Sequence, residues 1–157
     1  MLRGQEDEIY ARAAYEEHYA PVEQTGFITN DCWGFTIGYS PDGLVGADGL
    51  IECKSRCGKY QVQTFAEDAV PEEYALQLQT ALLVTGRRWI DFISYCGGLP
   101  MFVKRVEPDA EVQAAIIAAA TAFEERVCEI VQQFERGLRA MPKVIPTERR
   151  VEQDIII

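Results

Sequence analysis

Ser40-Pro41-Asp42-Gly43-Leu44, followed shortly by Gly49-Leu50-Ile51-Glu52-Cys53-Lys54, is the stretch on which the reading of this chain turns. Pro-Asp-Gly is turn chemistry, and the apolar run that follows reads as a strand. Strand residues alternate faces, so Glu52 and Lys54 share one face and Cys53 takes the other. A hairpin would then bring Asp42 near Glu52 and Lys54. Metal-dependent phosphodiester hydrolysis needs that set: hard carboxylate oxygens for Mg²⁺ and an amine to activate or position water. Each half alone is common. An Asp-Gly turn followed by a Glu-x-Lys strand also describes an ordinary solvated hairpin, and the motif stands or falls with its context.

At 157 residues with 48% apolar composition, the chain is long enough for one domain with a sizeable core. No 18-residue apolar run is present, so no membrane span is expected. The charged start, Met1-Leu2-Arg3-Gly4-Gln5-Glu6-Asp7-Glu8, has no signal-peptide core, which predicts a cytoplasmic protein. The cysteines at 32, 53, 57, 96 and 128 are odd in number, which argues for free thiols rather than a disulfide framework. No second close pair or nearby histidine completes a zinc site around Cys53 and Cys57, and the spacing does not demand an iron–sulfur cluster. The lone His18 reads as a surface residue at a helix end.

A net charge of −10 sits awkwardly with a nucleic-acid enzyme, whose usual footprint is a basic patch. The charge is segregated, however. Acids crowd the first and last predicted helices. Bases gather at Lys54, Arg56 and Lys59 beside the proposed site, at Arg87 and Arg88, and at Lys104 and Arg105. These also read as scattered surface charges.

Along the chain, residues 4–19 have helical spacing, with Ile9 and Ala13 and, nearby, Tyr10 and Ala14 falling on one side; Glu8 and Arg12 form a favourable i, i+4 pair if both face solvent. Pro21 ends that helix. Residues 22–30, Trp33–Tyr39, a short Leu44–Val45 and Leu50–Lys54 are expected as strands of one antiparallel meander. Residues 55–70 show no clean period and read as a loop. A helix from 72 to Thr85 closes at Gly86, with Leu76, Leu83, Ala75, Leu78 and Leu82 as its buried face. Trp89–Tyr95 and Met101–Val106 read as a hairpin, and Pro108-Asp109 opens a long helix to about Ala140. The resulting class is mixed α/β (α+β): a mixed central sheet flanked by helices. Three terminal isoleucines, Ile155-Ile156-Ile157, invite docking on a neighbouring subunit, packing on this chain's own surface, or simple fraying.

Two further polar residues stand out. Gln77 falls near the expected buried face of the 72–85 helix, where it needs partners: a metal-bound water, a phosphate, or simply backbone at the sheet edge. Glu8 is one of several acids on the first helix and, by itself, reads as solvated surface.

Together these residues resemble the lambda exonuclease (YqaJ-type) viral recombinase nucleases of the PD-(D/E)XK superfamily. Arg3-Gly4-x-x-x-Glu8-x-x-Ala11-Arg12-x-x-Tyr15 is similar to the family's first motif. Ser40-Pro41-Asp42-Gly43-Leu44 is similar to its second and Leu50-Ile51-Glu52-Cys53-Lys54 to its third. Tyr74-Ala75-Leu76-Gln77-Leu78-Gln79 resembles the helix bearing its active-site glutamine. The resemblance runs from about residue 3 to about residue 135.

The resemblance implies a restriction-endonuclease-like core and a single nuclease domain over 1–157. It further implies that the family's segment before the first motif is missing and that 141–157 is a tail. It implies a Mg²⁺-dependent (or Mn²⁺-dependent) 5′-to-3′ exonuclease on double-stranded DNA ends, using one or two ions. The product would be a 3′ overhang for a single-strand annealing protein in phage-type recombination. The enzyme would form a homo-oligomer, a trimer by resemblance, in the host cytoplasm if phage-encoded. Asp42 and Glu52 would bind metal with the Cys53 backbone carbonyl, and Glu8 would hold a second ion or its water. Lys54 would orient or deprotonate the attacking water, and Gln77 would position that water or the lysine. Arg56 and Lys59 are candidates for gripping the DNA end. The alternatives are an endonuclease or nickase with the same site, and a non-catalytic DNA-binding subunit that keeps the fold.

Overall fold

A computed structural model describes residues 2–148. The Arg3 side chain of the first motif and the terminal isoleucines lie outside the described residues. The chain divides into two compact units, Met1–Thr121 and Ala122–Ile157.

The first unit is built on a sheet of four strands: β3 (Gly43–Val45), β4 (Gly49–Ser55), β5 (Trp89–Tyr95) and β6 (Phe102–Val106), adjacent in that order. β3–β4 and β5–β6 are antiparallel and β4–β5 is parallel, the mixed sheet that was expected. The meander is not. β1 (Ile28–Asn30) and β2 (Ile37–Tyr39) pair with each other in a separate sheet, Ile28 opposite Tyr39. The expected strand at 22–30 reduces to a single bridge, Glu23 to Leu44, before β1 begins. The run Trp33–Tyr39 shortens because Gly34, at φ 84°, bonds back to Asp31 in a turn.

A parallel β4–β5 pair needs a crossover. α2 (Gly58–Glu67) and α3 (Glu72–Thr85) supply it. α2 occupies what the sequence offered as a loop, and the reason is chemical: its buried residues are Gln61 and Thr64, so no apolar period announces it. The Gln61 amide nitrogen donates to the carbonyls of Ser94 at 3.0 Å and Pro100 at 2.7 Å, while its oxygen accepts from Ser94 Oγ.

α3 closes at Gly86, whose φ of 66° suits a left-handed helix cap. Its buried face differs from the expected one. Leu78, Gln79, Ala81, Leu82 and Val84 are buried, whereas Ala75 is exposed and Leu76 is 63% exposed. Two residues are about 200° apart on a helix, so Leu76 faces away from Leu78. α1 (Leu2–His18) is likewise not seated through the side that carries its apolar spacing. Ile9, Tyr10 and Ala13 are exposed, and the helix seats itself through Ala11 and Tyr15. The Tyr15 hydroxyl donates to Asp91 Oδ2 at 2.7 Å, which anchors α1 to β5.

The two faces of the sheet carry separate cores. Leu50, Ile90 and Phe92 pack under α3 with Leu78 and Leu82. Ile51 and Ile93 pack under α1 with Ala11 and Tyr15. Strand alternation therefore turns Glu52 and Lys54 toward α3, and Cys53 toward α1. Asp109 Oδ1 accepts from the Glu111 and Val112 amides and caps α4 (Ala110–Ala140).

Within the second unit, that helix exposes Phe123, Val127, Ile130, Val131 and Phe134. No helix of the described residues is long and apolar enough to cross a membrane. The cysteines are all free, and His18 is exposed.

Candidate active site

β3 ends at Gly43, opposite Ile51, so among the described residues the β4 edge beyond Ile51 has no strand partner there. Asp42 fills the gap: its Oδ2 accepts from the Cys53 amide at 2.6 Å. A residue's N–H and C=O face the same neighbour in such a ladder, so the Cys53 carbonyl also faces this edge. Gly43 is required beside Asp42, because a Cβ there would lie 2.1 Å from Val22 Cγ1.

Glu52 is buried at the centre of the cluster. Its Oε1 accepts from Lys54 Nζ at 2.6 Å and from Gln77 Nε2 at 2.7 Å. Its Oε2 accepts a short hydrogen bond from the buried Tyr39 hydroxyl. A carboxylate has about four acceptor positions. Three are filled here, leaving Glu52 one acceptor position that no described residue takes.

Glu8 approaches from the α1 side. Arg12 Nη1 bridges it to the turn, donating to Glu8 Oε1 at 3.1 Å and to the Asp42 carbonyl at 3.0 Å. The i, i+4 pair read from sequence is real, but it faces the site. Glu8, Asp42, Glu52, Lys54 and Gln77 are thus brought together around the β4 edge that β3 leaves open, with α1 and α3 converging from opposite faces.

Electrostatics follow from this crowding. Asp42 is pushed up to about 7, first by burial, then by Glu52 and more weakly by Glu8, against the lowering effect of the Cys53 amide and Lys54. Burial foremost, with Glu52 behind it, pushes the Tyr39 phenol well above its usual range. Burial and the surrounding carboxylates do the same to the Cys53 thiol, so that side chain is no nucleophile.

The two basic candidates fare differently. Arg56 is bound to Glu73 and donates to the Tyr74 hydroxyl at 2.7 Å. Lys59 is exposed, its Nζ lying 4.5 Å from the Tyr60 ring centroid. The other two basic clusters are engaged elsewhere. Lys104 pairs with Asp68, Arg105 with Asp91 and Arg88 with Asp48, while Arg87 donates to the carbonyls of Gly46 and Gly49.

Among the described residues no three acidic, histidine or cysteine side chains form a ready metal cage. The donor set is nevertheless all oxygen: two carboxylates and a main-chain carbonyl on one edge, suited to a hard cation that keeps several waters. Tyr39 and Arg12 are the contributors that residue-level reading missed as site members. Arg12 was signalled by its spacing from Glu8. Tyr39 was not, because β2 belongs to a different sheet and no spacing rule carries it to Glu52.

Comparison with known proteins gives the family and the fold. Residues 1–88 match the YqaJ-like viral recombinase domain. The crystal structure of an alkaline exonuclease (LHK-Exo) from Laribacter hongkongensis is 36% identical over 88% of this chain and 75% of that one, with a TM-score of 0.76. The same exonuclease in complex with dAMP matches with a TM-score of 0.76, covering 88% of this chain and 74% of its own. SSO0001, 13% identical with a TM-score of 0.53, covering 78% of this chain and 59% of its own, shares the fold alone. No curated protein matches the chain.

Proposed function

The chain belongs to the YqaJ-like viral recombinase family and is a DNA nuclease, and from that premise we propose that it is a divalent-metal-dependent exonuclease on double-stranded DNA ends. It digests 5′ to 3′ and leaves a 3′ overhang for a single-strand annealing protein, in the cytoplasm of the host cell if phage-encoded. The observation that carries this reading is the Glu52 carboxylate, fixed by Lys54, Gln77 and Tyr39 beside Asp42. The dAMP complex of the related exonuclease adds support, because a deoxynucleoside monophosphate is the product class of such an enzyme.

Asp42, Glu52 and the Cys53 carbonyl would hold Mg²⁺ or Mn²⁺, with Glu8 bearing on a second ion or on coordinated water. Such an ion, when bound, polarises the scissile phosphate and makes its bound water a better nucleophile. The side chains do the rest. Lys54, tethered to Glu52, keeps donors for the attacking water and for charge gathering on the phosphate. Gln77 shares the same Glu52 oxygen and so fixes the lysine's approach. Arg12 keeps Glu8 and the Asp42 turn in register.

A homo-oligomer is part of the proposal. Phe123, Val127, Ile130, Val131 and Phe134 recur at helical spacing on the second unit and stay exposed, a stripe that further copies of the chain would cover. Light scattering that shows a monomer at micromolar concentration would remove that part.

The activity test is degradation of linear duplex DNA with and without a 5′-phosphate, beside circular DNA, in Mg²⁺, with Lys54→Ala as control. Loss of linear DNA only, favoured by the 5′-phosphate and abolished in the variant, is expected. Cutting of circular DNA would replace the reading with an endonuclease. No Lys54-dependent cleavage would replace it with a binding subunit.

A further inference from the structure

Beyond Lys54, cations and aromatic rings alternate in space. Lys54 Nζ lies 5.2 Å from the Tyr74 ring centroid, and Arg56 Cζ lies 5.3 Å from that same ring. The Arg56 guanidinium is also 5.0 Å from the Tyr60 ring, and Lys59 Nζ is 4.5 Å from it. All four distances are within cation–π range. The ladder leads from the proposed catalytic lysine to the surface, and Tyr74, Arg56 and Tyr60 line an open cleft with Ser55, Cys57 and Glu73.

The inner and outer rungs differ. Tyr74 is stacked on Phe92 at 5.5 Å between centroids, and Arg56 is committed to Glu73 and the Tyr74 hydroxyl, so this half is fixed. The outer half is open. Tyr60 is 44% exposed, and α2 seats itself through Gln61 and Thr64, so packing does not demand a ring at 60. Lys59 has no carboxylate within ion-pair distance among the described residues, in a chain of net charge −10.

An exposed ring in a cleft next to a phosphodiester-cleaving site, carrying a lysine that no described carboxylate holds, is what an unpaired nucleotide needs: the ammonium can leave the ring for a phosphate and so open a π-face for the base. We infer that Tyr60 is the stacking platform for one unpaired base of the DNA end and that Lys59 meets the adjoining phosphate, while Arg56 props the platform against Tyr74. This rests on the nuclease reading above and names the part of the substrate that the site holds beyond the scissile linkage.

The test uses the full chain carrying Asp42→Asn, so that the DNA is not consumed, and a duplex with one frayed 2-aminopurine at its end. Stacking on Tyr60 quenches the probe. Tyr60→Phe should keep the quench, whereas Tyr60→Ala should lose it and weaken binding roughly tenfold or more. Lys59→Ala should weaken binding, with a shallower salt dependence, and leave the quench at saturation. In the otherwise wild-type chain, Tyr60→Ala should raise KM for frayed ends and leave kcat nearly unchanged. Full quench and affinity in Tyr60→Ala, or equal damage from Tyr60→Phe, would overturn the inference while Lys54-dependent cleavage stands. Absence of both DNA binding and cleavage in the unsubstituted chain would overturn the nuclease reading and this inference with it.

Discussion

The Cys53 amide donates to Asp42 Oδ2 across 2.6 Å, so a side chain takes over the β4 edge where β3 stops. The consequence is that Asp42 is fixed by backbone, beside the buried Glu52 and not in bulk water. Its ionisation is therefore coupled to the stability of the first unit.

With its carboxyl pushed up to about 7 by burial and by Glu52, Asp42 binds a proton more tightly folded than unfolded, where a carboxylate titrates near 3.9. Its contribution is favourable below about pH 4 and is lost as pH rises toward 7. In chelator, the melting temperature should fall between pH 5 and pH 8, by roughly 5–10 °C from this group. Asp42→Asn should flatten that dependence, and Mn²⁺ at pH 8 should recover much of the loss in the unsubstituted chain. Parallel pH profiles for the two proteins would refute the assignment. Calorimetry in matched buffers measures both.

Tyr39→Phe removes only the hydroxyl that holds Glu52 Oε2. Groups that orient a metal-binding carboxylate are worth roughly 10–100-fold in metal affinity or activity. The variant should fold, bind Mn²⁺ more weakly by that order in titration calorimetry, and regain cleavage at high Mn²⁺. Unchanged affinity would mean that Gln77 and Lys54 suffice to aim Glu52.

Arg12→Lys keeps the charge and loses the reach. One guanidinium nitrogen serves both Glu8 and the Asp42 carbonyl, and an ammonium on a different stem does not reproduce that bridge. Cleavage of linear duplex should fall at least roughly tenfold, with stability lowered by about 1–2 kcal/mol. Cleavage at the unsubstituted rate would show that Glu8 and the turn hold their places without it.

How legible all this was depends on which rule each residue obeys. Glu52 and Lys54 share a face because strands alternate, and that rule is local. β5, β6 and α3 followed from equally local signals: two strand-like runs about Cys96–Pro100, and Pro71 and Gly86 around a helix. What escaped was set by contacts between distant segments. A mixed sheet and a helix between β4 and β5 were expected, but that these two strands are the parallel pair is not written in either strand's own pattern. α1 is seated by Tyr15 reaching Asp91, a polar contact 76 positions away, so its apolar spacing does not mark the seated side. Tyr39 joins the site only because a second small sheet exists.

α2 is the sharpest case, because the polar contact that hid it from the sequence also holds it in place. Gln61 is fully buried and satisfied by the Ser94 hydroxyl and the carbonyls of Ser94 and Pro100. Gln61→Leu is close in size but strands those partners, at about 1–3 kcal/mol for each group left unsatisfied. Its melting temperature should drop by roughly 4–10 °C. Adding Ser94→Ala removes one stranded hydroxyl, so the double variant should lose less than the sum of the two single losses, with a coupling of about 0.5–3 kcal/mol. Strict additivity in denaturant melts would mean that water replaces the lost amide. In that event α2 is held by Thr64 and its neighbours, and the polar pair is incidental to the crossover.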